Sequence, residues 1–285
     1  MRSTINSILI GALRCAAAPF GAPLRLRLFR ALRRGLSVAG YDAEIKQMAT
    51  SRGLIRFYCL GPLPTWRAET ALSKEPETIE WIDAMAAGDV LFDIGANIGV
   101  YTLYAAVNRD VQVLAFEPLA ANYYLLNRNI EENGLSDVAT AYSLALTDAD
   151  KIGRFHAQDT EFGSALSSFG QHIEQYGQSH ASDFEQGMIG MRLDTFIETF
   201  GPPFPTHLKI DVDGIEDQII AGAAKTLADP RLQSISIELD STQLDYVARV
   251  TDAIENGGLR FVAKRRSAMF DNTPSANTYN YLFRR

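Results

Sequence analysis

The chain has 285 residues, 47% of them hydrophobic and 21% charged, with a formal net charge of −7. That length and apolar content supply a globular core, and the acidic balance disfavours a nucleic-acid backbone as the main partner. Two cysteines, Cys15 and Cys59, exclude a disulfide framework and lack metal-ligand spacing, so a reducing, cytoplasmic setting is the default.

The charge is unevenly spread. No Asp or Glu precedes Asp42, whereas Arg2, Arg14, Arg25, Arg27, Arg30, Arg33 and Arg34 all do. Residues 1–40 read as a helical extension. Their apolar stretch 8–18 is interrupted by Arg14 and is too short for a membrane span. The Leu/Arg alternation at 24–30 leaves two readings open. One is a basic amphipathic helix in peripheral contact with an anionic membrane. The other is a solvated helix packed on the rest of the chain or on a partner subunit. Residues 1–73 are taken as a basic accessory segment and 74–285 as the main domain. Within the accessory segment, 54–60 reads as a strand and the Gly61-Pro62-Leu63-Pro64 run as a break.

The main domain alternates strands and helices. A helix is expected over 78–87, with Ile79, Trp81, Ile82 and Met85 on one face. Strand 90–94 leads through a glycine turn into helix 99–108. Strand 111–117 leads into helix 120–133, stopped by Gly134. A third strand is expected at 138–146. Residues 147–190 break the rhythm, with a short strand at 154–157 and a Gly-, Ser- and Gln-rich stretch at 159–190 too long for a plain connection. A short helix follows near 192–197, then strand 206–212, helix 216–228, strand 234–239 and helix 244–256. Two strands, 260–264 and 278–283, close the chain with no helix between them. The pattern predicts an α/β fold: a seven-stranded, mostly parallel sheet with an antiparallel last strand.

In such sheets ligands bind at the carboxyl ends of the strands. Those ends carry Asp93, Glu117, Asp211, Asp213, Glu238 and Asp240. Acids there also cap helices, which keeps a purely structural reading open for Asp213 and Asp240. After Asp93 comes Gly95-Ala96-Asn97-Ile98-Gly99. Gly95 and Gly99 let a ligand approach bare backbone, and Asn97 tolerates a left-handed conformation. This is not the G-x-G-x-x-G dinucleotide fingerprint. Glu117 lies 22 residues beyond Gly95, the spacing at which an acid meets ribose hydroxyls, and Pro118 suits a first helical turn.

These motifs, followed by Lys209-Ile210-Asp211-Val212-Asp213-Gly214-x-Glu216, resemble the FkbM family of S-adenosylmethionine-dependent methyltransferases. The resemblance runs from about Lys74 to the C-terminus, with Asp213 where the family more often has Glu. It implies the Rossmann-like class I methyltransferase fold, S-adenosylmethionine as cofactor, and O-methyl transfer to a hydroxyl of a sugar or small natural product. It also implies that Glu75 and Thr78 line the cofactor pocket. Asp93, Gly95, Ala96, Asn97 and Gly99 are then expected around the amino-acid end, Glu117 and Pro118 at the ribose, and Ala145 at the adenine. Asp211 is the candidate base on the acceptor side. Lys209 either tunes Asp211 and binds acceptor, or pairs with Glu238. Asp211, Glu238 and Asp240 are candidate ligands for a divalent metal. His172 and His180 lie in the insertion, either as proton carriers or simply solvated. Two rival functions are a non-catalytic nucleoside-binding protein and a nicotinamide-dependent oxidoreductase. Asn97 in the glycine turn and the antiparallel C-terminal pair argue against the second.

Overall fold

The computed structural model describes residues 43–108, 110–165, 167–170, 174–175, 178–179 and 184–285. The expected N-terminal helices, Cys15, His172 and His180 lie outside the described residues. The described part is one compact unit from Ala43 to Arg285.

It opens with a hairpin of β1 (Glu44–Thr50) and β2 (Gly53–Cys59). Helix α1 (Pro62–Thr70) starts on a proline after Gly61, and α2 (Pro76–Asp83) also begins on a proline, where the missing N–H costs nothing. Then come β3 (Val90–Ile94), α3 (Val100–Ala106), β4 (Gln112–Phe116), α4 (Ala120–Glu132) and β5 (Ala139–Tyr142). The next elements are β6 (Ala145–Leu146), β7 (Lys151–Ala157), β8 (Ser167–Phe169), β9 (Glu174–Gln175), β10 (Gln178–Ser179) and β11 (Phe184–Met191). Helix α5 (Leu193–Phe200) precedes β12 (His207–Ile210), α6 (Glu216–Ala221), α7 (Ala224–Ala228) and β13 (Ser234–Asp240). Helix α8 (Leu244–Asn256), β14 (Arg260–Arg265) and β15 (Thr278–Arg284) complete the chain.

Seven strands form one sheet in the order β14-β15-β13-β12-β3-β4-β5. Strand β15 runs antiparallel to both neighbours, and β13, β12, β3, β4 and β5 pair in parallel. The seven strands and the antiparallel C-terminal strand expected from the sequence are present, and this is the class I methyltransferase fold. Successive strand residues face opposite sides of the sheet, so Leu91 and Val113 enter one core while Phe92 and Leu114 enter the other. The hairpin and α1 belong to the first of these cores through Ile55, Phe57, Cys59 and Ala68. The boundary expected near Lys74 therefore falls inside the compact unit.

Three local expectations need correction. The third strand, expected to run unbroken to Leu146, divides: β5 joins the main sheet, while β6 pairs with β11 in a second, four-stranded sheet of order β6-β11-β7-β8. The stretch read as irregular contains the eight-residue strand β11, paired with β7. The single helix expected over 216–228 breaks at Gly222, where a Cβ would stand 2.1 Å from the Thr147 carbonyl oxygen.

Candidate active site

A cavity of about 580 Å³ opens at the carboxyl ends of β3, β4, β12 and β13, within the range of small-ligand sites. Its floor is the glycine turn. Gly95 has φ 83°, and a Cβ there would lie 1.9 Å from the Asp211 carbonyl oxygen, so only glycine lets these two strand ends meet. Asn97 adopts φ 51°, and Gly99, at φ 88°, leads into α3.

Gly95, Asn97, Glu117, Pro118 and Ala145 line the cavity together with Glu75, Asp211 and Glu238. The Glu117 carboxylate accepts the N–H groups of Asn97 and Leu119, each at 2.8 Å. Burial pushes its pKa up to about 7 despite those two bonds.

Four expected cofactor residues stand behind the wall. Asp93 is buried, and one of its oxygens accepts from Thr102 Oγ1 at 2.6 Å, tying β3 to α3. Its other oxygen has no partner among the described residues, and burial raises its pKa. Thr78 donates to Glu75 Oε2 at 3.1 Å and so positions Glu75. Ala96 is buried, its N–H bonded to the Phe116 carbonyl. At Gly99 a Cβ would lie 2.6 Å from Leu126, a packing reason for the glycine.

The acceptor side is built by register. Lys209 on β12 pairs with Asp93 on β3 and with Ser236 on β13, and Glu238 follows Ser236 by two residues on the same face. Lys209 Nζ donates to Asp211 Oδ2 at 2.8 Å and stands 4.7 Å from the Tyr101 ring centre. The alternative pair of Lys209 with Glu238 does not form. Burial alone would raise the Asp211 pKa, but Lys209, then Lys74 and Arg67, outweigh it and bring it to about 2. Among the described residues, Glu238 has no such cation in contact. Burial, then the charges of Asp211 and Glu75, raise its pKa well above the usual range.

Carboxylate oxygens of Glu75, Asp211 and Glu238 lie within 4.8 Å of one another. Asp240, the third ligand expected for a metal, is elsewhere: its carboxylate accepts from the Thr242 N–H and hydroxyl at 2.9 and 2.8 Å, closing a turn. Glu75 is bound by Lys74 at 2.6 Å and Asp211 by Lys209, so two of the three oxygens sets already answer an internal cation. Those lysines compete with a divalent ion for this oxygen-donor set.

The insertion forms one wall. Asn97 and Asn122 both donate through Nδ2 to the Ser164 carbonyl, at 2.8 and 2.9 Å, and the Gly163 N–H donates to Asn122 Oδ1 at 2.8 Å. Arg67 on α1 donates from Nε to the Gly163 carbonyl at 2.8 Å, and the Ser167 N–H donates to Asp213 Oδ2 at 2.8 Å.

Residues 93–261 match the methyltransferase FkbM domain. The chain belongs to the FkbM methyltransferase family. Over 202 residues it is 28% identical to the 31-O-demethyl-FK506 methyltransferase FkbM of Streptomyces tacrolimicus, covering 62% of this chain and 75% of that protein. Among solved structures it is similar to the precorrin-6y C5,15-methyltransferase of Geobacter metallireducens (TM-score 0.42, 13% identity, 74% of this chain and 86% of that one). It is also similar to TYW2 of P. horikoshii in complex with MeSAdo (TM-score 0.44, 12% identity, 86% and 71%). The FkbM family makes S-adenosylmethionine the cofactor.

Arg67, Lys74, Asn122 and Asn280 also line the cavity and were not singled out in the sequence. Asn280 is a polar residue inside the apolar run Tyr279–Phe283, and Asn122 sits on the buried face of α4. A polar residue on an apolar face was the available signal. Arg67, on a mixed surface helix, carried none.

Proposed function

We propose that this FkbM methyltransferase methylates a hydroxyl of a sugar or small natural product. The observation that carries the reading is the single cavity that joins the Gly95–Asn97 turn and Glu117 to the carboxylate trio of Glu75, Asp211 and Glu238. The cofactor supplies a methyl group on a sulfonium centre. Glu117 accepts the ribose hydroxyls, and Gly95 and Asn97 bear on the amino-acid portion. On the other side, carboxylates and Asn280 suit the hydroxyls of a polar acceptor, with Trp66 and Phe270 as flat apolar walls. The name of the Streptomyces relative, a 31-O-demethyl-FK506 methyltransferase, supports oxygen as the methylated atom.

A hydroxyl must lose its proton on methylation. Asp211, held ionised by Lys209, has little proton affinity left and serves to orient the acceptor. Glu238, whose proton affinity is raised by burial and by its two acidic neighbours, is the stronger base of the two and takes that proton from its ionised form, which the sulfonium of the bound cofactor favours. Calorimetry should show binding of S-adenosylhomocysteine and none comparable of NAD. A screen of hydroxylated acceptors with methyl-labelled cofactor should then show label transfer to an alkali-stable ether. Transfer only to nitrogen or carbon acceptors would overturn the O-methyl assignment.

A further inference from the structure

Four cations adjoin the cavity, and three of them answer a carboxylate. Lys74 meets Glu75 at 2.6 Å, Lys209 meets Asp211 at 2.8 Å, and Arg266 meets Asp271 at 2.6 Å. Arg67 does not. Its Nε is spent on the Gly163 carbonyl, and among the described residues no carboxylate lies within 4 Å of its guanidinium. It nevertheless lines the cavity, at the wall where the field of Asp211 and Asp213 reaches it most strongly and where it in turn is felt by Glu117. A guanidinium in a walled site without a counter-ion is a costly arrangement unless a ligand supplies the anion. Its two terminal nitrogens form a fork suited to a carboxylate.

We propose that Arg67 on α1 binds the carboxylate at the amino-acid end of the cofactor, which rests on the S-adenosylmethionine reading above. The charge pattern of that wall fits. A zwitterionic amino-acid end offers an ammonium to Asp213 and a carboxylate to Arg67, and a sulfonium beside the carboxylate trio adds a second cation on the acidic side. The residue lies before the stretch that matches the FkbM domain. Helix α1 therefore completes the cofactor site from outside the matched segment. Through Gly163 the same side chain ties that site to the insertion loop, so the helix, the loop and the ligand share one guanidinium.

The test separates the two ends of the ligand. Titrate full-length wild type, Arg67→Gln and Arg67→Lys with S-adenosylhomocysteine and with 5′-methylthioadenosine, which lacks the amino-acid end. Arg67→Gln should weaken S-adenosylhomocysteine binding about tenfold or more, while 5′-methylthioadenosine binding stays within about twofold. Arg67→Lys should fall between wild type and Arg67→Gln for the first ligand only. Equal loss for both ligands would make Arg67 a structural residue, and no loss for either would remove it from the site; both outcomes overturn the proposal. If the variants do not fold, wild type is titrated with the decarboxylated analogue of S-adenosylhomocysteine, and an affinity equal to that of the parent compound overturns it. Wild type that binds neither nucleoside contradicts the cofactor reading itself.

Discussion

The motif Asp211-Val212-Asp213-Gly214-Ile215-Glu216 reads as one acidic signature, yet its three acids do three different things. Asp211 faces the cavity, Asp213 accepts the Ser167 N–H and holds the insertion, and Glu216 is buried against the Tyr246 hydroxyl. Substituting Asp211 by Asn therefore does more than remove a candidate catalytic group. Lys209, with a side chain only 2% exposed, loses its counter-ion, while Asp211 itself is 24% exposed and partly screened. A stability loss of about 1–3 kcal/mol is expected by urea denaturation, below the full cost of breaking a buried pair. With an acceptor in hand, Glu238→Gln should lower kcat by about 100-fold or more, the scale of a positioned base. Wild-type turnover in Glu238→Gln would return the proton to another group. Glu117 gives a separate, acceptor-free prediction. With its pKa pushed up to about 7, acidification protonates the carboxyl that is proposed to accept the ribose hydroxyls. S-adenosylhomocysteine affinity should fall on the order of tenfold between pH 7.5 and 5.5, and Glu117→Gln should be weaker at pH 7.5 and nearly flat with pH. A wild-type affinity that is constant over this range would detach Glu117 from the ribose.

At the scale of elements, the parallel sheet was legible because each strand is a short apolar run followed by a helix with its own apolar face. The four-stranded sheet was not, and glycine is the reason. Gly153 in β7 and Gly190 in β11 look like strand breakers, but a Cβ at either would lie 2.7 or 2.3 Å from the Phe169 ring. The two glycines make a slot for a ring that arrives from β8, and nothing local in the sequence announces it. The break between α6 and α7 has a similar origin. Asp194, at the start of α5, accepts the N–H groups of Lys225 and Thr226 and caps α7 from 31 and 32 residues away in the chain. The site was legible where backbone geometry demands particular residues, at Gly95 and Asn97, and less so where a side chain works through another, as Thr78 does through Glu75. Asn122 shows what such indirect support is worth. It is buried, makes two of the bonds that hold Gly163 and Ser164, and touches the cavity. Asn122→Ala should speed amide exchange at Gly163 by about tenfold or more, as expected for losing a buried bonding partner, with β3 and β12 unchanged. Uniformly faster exchange across the sheet would mean that Asn122 supports the fold as a whole and not the insertion.

At the scale of the whole molecule, the buried ionisable groups oppose one another in pH. His207 lies at the far end of the sheet from the cavity, bonded through Nε2 to Asp89 at 2.9 Å and through Nδ1 to Ser234 at 2.7 Å. Burial lowers its pKa, with Asp89 opposing, so its contribution to stability is present above about 6.5 and lost as pH falls below that. Glu216 has the opposite sign. Burial raises its pKa to about 8, because the bonds from Tyr246 and Gly214 only partly offset the loss of water. Its contribution is complete below 4.5, declines as pH rises, and is gone above about 8. Glu117 declines similarly up to about 7. Below about 6.5 the histidine and the acids compensate, whereas between 6.5 and 8 the acids act alone. The unliganded protein should therefore lose stability over that upper window, by at most about 1.4 kcal/mol per pH unit for each group. Glu216→Gln keeps an oxygen for the Tyr246 hydroxyl but cannot ionise. Urea midpoints measured at pH 6.5, 7.2 and 8.0 should fall more steeply for wild type than for Glu216→Gln, with the variant the more stable of the two at pH 8. Parallel slopes would show that Glu216 keeps the same charge in the folded and unfolded chain, and would return the buried acid between α6 and α8 to an ordinary ionised residue.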